Sequence, residues 1–356
     1  MTSPLIGQPV FSVATQICYW EDVILAGAVW GEWTTLEATV TRGLACLKRL
    51  SATGKDDASS AAAEAAAADF RYERDLVSAA DAEAWLDRWG LSAEEWMSYI
   101  RRTLLQKRWA ESIANFASKY PISATEVAGA MHSEMVCSGA IQRVARRLSA
   151  RAAMQDYLAS RSEGWLEDKD EIARETQRFP ALIAEHGILG VSAERCQERI
   201  PIVARLETAF NFFRKAVVTP RALQEHVGMH HLDWVWFQYP SLAFDREDMA
   251  REAALCLRED DMTLADVAAS SRSQVREAHG FLEEIDRSLR DRFLGAREGE
   301  ILGPIAVNGG FRLYHIASKR LPSVDDPAVR ERAEQSVLRS VAGYETRQRV
   351  RWLMTM

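Results

Sequence analysis

Apolar residues recur at helical spacing through almost the whole first two-thirds of this chain, and that period excludes a predominantly β fold. Across residues 21–50, Val23, Leu25, Ala26, Val29, Trp30, Trp33 and Leu36 fall close to 3 and 4 apart and define one apolar face. Start signals recur as well. Ser92 with Glu95 forms a capping box, in which the serine oxygen and the glutamate carboxylate each satisfy an otherwise unpaired backbone N–H. Trp96, Ile100, Leu104, Leu105 and Trp109 then supply a buried stripe. Ser123 with Glu126 opens a helix expected over 127–159, and Pro121 closes the one before it, because the residue ahead of a proline avoids helical dihedrals. Thr219 as N-cap with Pro220 at the first helical position starts a short helix to Val227. Residues 58–68 are almost all alanine, which favours helix but offers little volume to a core. A linker or thin helix is expected over about 54–69.

The texture changes at Leu232. Leu232-Asp233-Trp234-Val235-Trp236-Phe237-Gln238-Tyr239 is aromatic and β-branched, ends at Pro240, and reads as a strand. Its alternation puts Trp234, Trp236 and Gln238 on one face and Val235, Phe237 and Tyr239 on the other. Helices follow over 245–257 and 263–269, then Phe281-Leu282 and a helix to about Leu294. A turn at Gly299-Glu300-Ile301-Leu302-Gly303-Pro304 leads to a strand over 310–316, and the tail 327–352 is helical. The expected class is α+β, mainly α. An N-terminal helical domain spans 1–230 and a small α/β domain spans 231–322. The C-terminal helix, 323–356, is able to return to the helical part.

Several function classes are excluded by composition. The 356 residues are 47% hydrophobic and 27% charged, an ordinary globular balance. The net charge of −7 argues against nucleic acid as a partner, since phosphate neutralisation needs surplus Lys and Arg. There is no apolar run of about 18 residues to span a bilayer, and the first residues lack the basic and apolar regions of a signal peptide. Cys18, Cys46, Cys137, Cys196 and Cys256 are odd in number and scattered, without CxxC or zinc spacing. They read as reduced thiols, so the expected location is cytoplasmic, with no cofactor and no metal.

Specific residues after Leu232 resemble a parvulin domain. Thr263-Leu264-Ala265-Asp266-Val267-Ala268 is similar to that family's second helix. Gly299-Glu300-Ile301-Leu302-Gly303-Pro304-Ile305 looks like its G-E-[IV]-S-x-P-V turn, and Gly310-Phe311-Arg312-Leu313-Tyr314-His315-Ile316 like its last strand. With helices before and after, the layout resembles SurA/parvulin-type (PpiC-like) isomerase chaperones, and also crocagin-type peptide-maturation accessory proteins of ribosomal natural-product clusters. The departures bear on activity. Active members use a histidine in the first strand and another in the last. Here no histidine lies between His231 and His279, Gln238 or Tyr239 stands nearest the first position, and Arg312 takes the second. The family's central glycine-rich segment is missing. Leu289 stands ten residues before Gly299, where the family's proline-pocket phenylalanine is expected.

The resemblance therefore implies a frame that has lost its isomerase chemistry. The function it implies is a non-catalytic, chaperone-like accessory protein that holds a ribosomally made precursor peptide, leader or core, during natural-product maturation. A maturation enzyme is the second partner. Two alternatives stay open: a divergent prolyl isomerase using Gln238, Tyr239 and His315, and a general cytoplasmic chaperone. Candidate peptide contacts are Trp234, Trp236, Gln238, Phe281, Leu289, Arg312 and Tyr314; the competing reading buries both faces of the strands under helices. His226 and His230 have the spacing of two metal ligands, but no third ligand is placed, and a helix-end role is preferred. Cys137 reads as a buried structural thiol rather than a nucleophile.

Overall fold

The computed structural model describes residues 5–53, 60–160, 168–186, 190–260, 262–307 and 309–354. The chain is mainly helical with small antiparallel sheets, and it divides into two compact units, Met1–Arg214 with Ala342–Met356, and Lys215–Val341.

The first unit departs from the helical expectation at its start. A hairpin of β1 (Pro9–Val13) and β2 (Gln16–Tyr19) turns at Ala14, whose φ of 48° is left-handed. The other edge of β1 pairs with a C-terminal strand, Val350–Trp352, which replaces the end of the expected helical tail. Phe11 lies opposite Trp352 with ring centroids 5.5 Å apart. Next comes α1 (Trp20–Val29), buried along nearly its whole length, which is why its sequence is apolar all round. Asp22 in its first turn accepts the Tyr19 N–H at 2.8 Å and a two-pronged guanidinium from Arg199 at 2.8 and 2.5 Å.

Packed around it or beyond it are α2 (Glu32–Thr53), α3 (Ser60–Tyr72), α4 (Ala79–Trp89), α5 (Ala93–Arg108), α6 (Ile113–Lys119), α7 (Ala124–Cys137), α8 (Ala140–Ser160), α9 (Lys169–His186) and α10 (Ala193–Val217). The capping boxes at Ser92 and Ser123 form as the sequence implies. Residues 60–69 of the alanine-rich tract are helix, and Ala63 and Ala67 are buried in it; residues 54–59 of that expectation lie outside the described residues. The helix expected over 127–159 is two helices. They are separated by Gly139 at φ +72°, a conformation that suits glycine. Cys137 is buried at that break, and burial pushes its thiol up to about 12, which fits the structural reading.

In the second unit α11 (Pro220–Met229) is capped by Thr219, whose side chain accepts the Ala222 N–H at 3.2 Å. The single strand expected over 232–239 is shorter and doubled: β3 (Trp236–Gln238) and, past Pro240, β4 (Ser241–Phe244). Then come α12 (Glu247–Glu259), α13 (Leu264–Ser271), β5 (His279–Phe281), a 3-10 turn at Leu282–Glu284 and α14 (Arg290–Gly295). The helix expected after Leu282, to about Leu294, is thus a 3-10 turn and connecting residues before the short α14. The expected turn at 299–304 contributes its last four residues to β6 (Ile301–Val307), followed by β7 (Gly310–His315), β8 (Ser318–Arg320) and α15 (Pro327–Arg349), whose last residues are counted with the first unit.

These strands make two antiparallel sheets, β5-β3-β8 and β4-β7-β6. They run into one another across Pro240 and Ala317: the His315 N–H donates to the Pro240 carbonyl, and the Ala317 N–H to that of Gln238. Three apolar clusters follow from the pleat. Leu242, Phe244, Phe311 and Leu313 face α12 and α13, while Trp234, Trp236 and Phe281 face α11 and α15. Val235, Phe237, Tyr239, Tyr314 and Ile316 face the opposite way, towards α14.

Candidate functional site

The face towards α14 carries the most unusual group of side chains in the second unit. Phe293 of α14 is fully buried and stands edge-on to three rings: Phe237 at 5.6 Å and 82°, Tyr239 at 5.0 Å and 87°, and Tyr314 at 5.5 Å and 69°. Edge-to-face contacts of this kind are worth about 0.5–1.5 kcal/mol each beyond area burial. The two tyrosine rings are 6.3 Å apart. Leu289, Leu294 and Leu302 form a half-buried apolar rim, and Ile305 a buried floor.

Local chemistry fixes this arrangement. Lys319 donates to the carbonyls of Leu294 and Ala296 at 2.5 and 2.9 Å, closing the C-terminal end of α14, where a cation is favoured. Arg290 holds the start of the same helix by donating to the Ile285 carbonyl at 2.9 Å. On the sheet side, Leu302 lies opposite Tyr314 and Ile305 opposite Arg312. Gly310 begins β7 at φ +151°. A Cβ there would stand 2.3 Å from the Phe244 carbonyl oxygen, so only glycine lets β7 and β4 close up.

Among the described residues neither tyrosine hydroxyl is hydrogen-bonded within the protein, although Tyr314 is only 6% exposed. Burial, then the neighbouring Tyr314, then Glu284 push the Tyr239 phenol above its usual 10, against the opposing pull of Arg276. A phenol so placed stays protonated near neutrality and is available as an O–H donor.

The residues singled out in the sequence do not converge. Trp234, Trp236 and Phe281 share the cluster under α11 and α15; Trp234 and Phe281 are buried, and the Arg320 guanidinium stacks 3.8 Å from the Trp236 ring. Gln238 is exposed on that same side, opposite His279 and Ser318. Leu289 and Tyr314 belong to the Phe293 group, and Arg312 shares the Tyr314 face of β7 by strand parity. Sequence reasoning missed Phe293 as the ring at the centre. The signal was available at the fourth residue past Leu289, on the next turn of a short helix. His315 alternates to the other face of β7, away from the tyrosines.

His226 and His230 are also placed. Nδ1 of His226 lies 2.9 Å from the Ser336 hydroxyl, and His230 stacks on Trp234 at 4.5 Å. Among the described residues no three His, Cys, Asp or Glu side chains converge as a metal site, and no helix is long and apolar enough to cross a membrane.

No family model and no curated protein matches the sequence. The chain is similar to solved structures of PrsA proteins. They include the peptidylprolyl isomerase PrsA of Bacillus anthracis, 12% identical over 56% of this chain and 94% of that one, with a TM-score of 0.28. PrsA of Bacillus cereus is 16% identical over 62% and 85%, with a TM-score of 0.31. PrsA of Bacillus subtilis is 13% identical over 62% and 84%, with a TM-score of 0.19.

Proposed function

We propose that this protein is a non-catalytic, chaperone-like peptide holder, and that its second unit grips an extended peptide at the Tyr239–Phe293–Tyr314 group. One observation carries the reading: two phenols with no hydrogen-bond partner among the described residues face that site, while His315, next to Tyr314 in sequence, lies on the other face of β7 by strand parity. Two O–H donors over an apolar rim suit a peptide carbonyl and its neighbouring side chain. Catalysed rotation about an X–Pro bond has to lower a barrier of about 18–20 kcal/mol. The divergent-isomerase alternative needs Gln238, Tyr239 and His315 together, and strand parity sends Gln238 and His315 to the other face from Tyr239.

The peptide we propose is a ribosomally made precursor, held while a separate enzyme matures it. What supports this finer reading is the resemblance of the combined layout, with Leu232-Asp233-Trp234 and Cys256-Leu257-Arg258-Glu259-Asp260, to peptide-maturation accessory proteins. The test is a calorimetric titration with a small precursor peptide encoded beside the gene, followed by a mass measurement on that peptide. Saturable binding of about −8 kcal/mol or better, with unchanged mass and no acceleration of a proline-limited peptide assay, is the expected result. A changed mass, or no binding, overturns it.

A further inference from the structure

Two cations adjoin the tyrosine pair. Arg276 lies close enough to Tyr239 to oppose the rise of its pKa. The Arg276 N–H and carbonyl bridge to Ser241 on β4, which holds the residue at the border of the group; its side chain is exposed. Arg312 is half-buried on β7, two residues from Tyr314 on the same face, between Ala243 and Ile305. Among the described residues neither guanidinium has an ion pair or a side-chain hydrogen bond. The other half-buried arginines of the unit differ from Arg312. Arg332 pairs with Glu283 and Glu284, and Arg290 is taken up by backbone carbonyls.

The carboxylate that acts on Tyr239 is already occupied. Glu284 accepts the Phe281 N–H at 3.0 Å and the Arg332 guanidinium, so it is not free to neutralise Arg276. The site therefore offers two guanidiniums and two phenol O–H groups as donors. That donor set fits a carboxylate, which accepts through two oxygens and binds guanidinium most strongly. The leucine rim beside it fits an apolar side chain.

We propose that the peptide held at this site is acidic: an Asp or Glu carboxylate, carried next to an apolar residue, is received by Arg276, Arg312 and the two tyrosine hydroxyls. The proposal rests on the peptide-holding reading and adds to it the charge of the ligand. The protein's own net charge of −7 disfavours acidic ligands at long range, so a preference for them would have to come from these local donors.

The experiment is affinity selection by the full chain from a pool of octapeptides, blocked at both ends, with a fixed Leu preceded by either Glu or Gln and random residues elsewhere. Mass spectrometry reads the retained peptides. Peptides with Glu should be enriched about tenfold over those with Gln, equivalent to about 1.4 kcal/mol. The preference should vanish in the Arg276→Gln, Arg312→Gln double variant, which changes surface or half-buried groups and should leave the circular dichroism and melting temperature unaltered. Equal retention of Glu and Gln peptides, abolished by Tyr239→Ala, overturns the charge proposal and leaves the peptide holder standing. Retention of neither overturns both. A Glu preference that survives the double variant overturns the assignment to these two arginines.

Discussion

Tyr239, directly after β3, and Tyr314, on β7 of the neighbouring sheet, have rings 6.3 Å apart with Phe293 edge-on to both. The chain changes sheets at Pro240, directly after Tyr239, and again at Ala317, three residues beyond Tyr314. The pair therefore sits where the strands bend, and Phe293 fills the inside of the bend.

Removing the hydroxyls separately from the rings should separate binding from packing. Tyr239→Phe and Tyr314→Phe keep every ring contact and each delete one O–H donor, so each should weaken peptide binding by about 0.5–1.5 kcal/mol with no loss of stability. Phe293→Ala should instead destabilise the second unit by about 3–5 kcal/mol, because a fully buried ring leaves a cavity. Titration of each variant beside a urea melt separates the two effects. Unchanged affinity in both tyrosine variants would remove the hydroxyls from the site.

Gly310→Ala tests the closeness of β7 and β4. The new methyl would meet the Phe244 carbonyl oxygen at 2.3 Å in a left-handed backbone conformation. A loss of about 2 kcal/mol or more is expected by urea denaturation, beyond the ordinary cost of replacing a glycine of this kind. Gly309→Ala is the control. It too has positive φ, at +91°, but its Cβ would meet nothing within 4 Å, so the smaller loss isolates the clash from the conformation.

Much of this fold was legible in the sequence where the signal is local. The capping boxes at Ser92 and Ser123 and the Thr219-Pro220 start need only residues three apart, and all form. The alternation from Trp234 to Tyr239 also holds, because a pleat fixes parity whatever covers it. What stayed hidden depends on distant partners. The strand around Phe11 is completed by residues near Trp352, at the far end of the chain, and a five-residue strand carries too little periodicity to stand out beside long helices. The site was half legible for the same reason. Leu289, Arg312 and Tyr314 are singled out by the sequence as separate candidates, but the junction of two sheets is what brings Tyr239 and Phe293 to Tyr314.

The buried pair Arg102–Glu134 in the first unit should be costly to break from one side. The two groups meet at 3.2 Å with side chains 2% and 5% exposed, and Ser98 and Ser133 take further donors of the guanidinium at 3.1 and 3.2 Å. Glu134→Ala strands a buried cation and should cost about 3–5 kcal/mol. The double variant Arg102→Met, Glu134→Leu should cost less than that single change, since it removes both charges together. Chemical denaturation of the three proteins decides it: a double variant less stable than Glu134→Ala would mean that the pair stabilises the unit beyond mutual neutralisation.

Glu126 gives the first unit a component of stability with a defined pH window. Its carboxylate accepts the Ser123 N–H at 2.9 Å, the Lys48 ammonium at 2.9 Å and the Ser123 hydroxyl at 2.8 Å, joining α7 to α2. These bonds, the backbone N–H foremost, hold its pKa at about 2 against an ordinary 4.5. The folded pKa is the depressed one, so as pH falls the unfolded chain takes the proton first. The contribution is therefore complete above 4.5 and is lost as pH drops from there to about 2. Glu126→Gln keeps the shape of the capping box without the charge. The gap in melting temperature between it and the natural protein should be level from pH 7 to about 5 and should close as pH approaches about 2. A gap that stays constant through that range would show that Glu126 contributes by shape and hydrogen bonding alone.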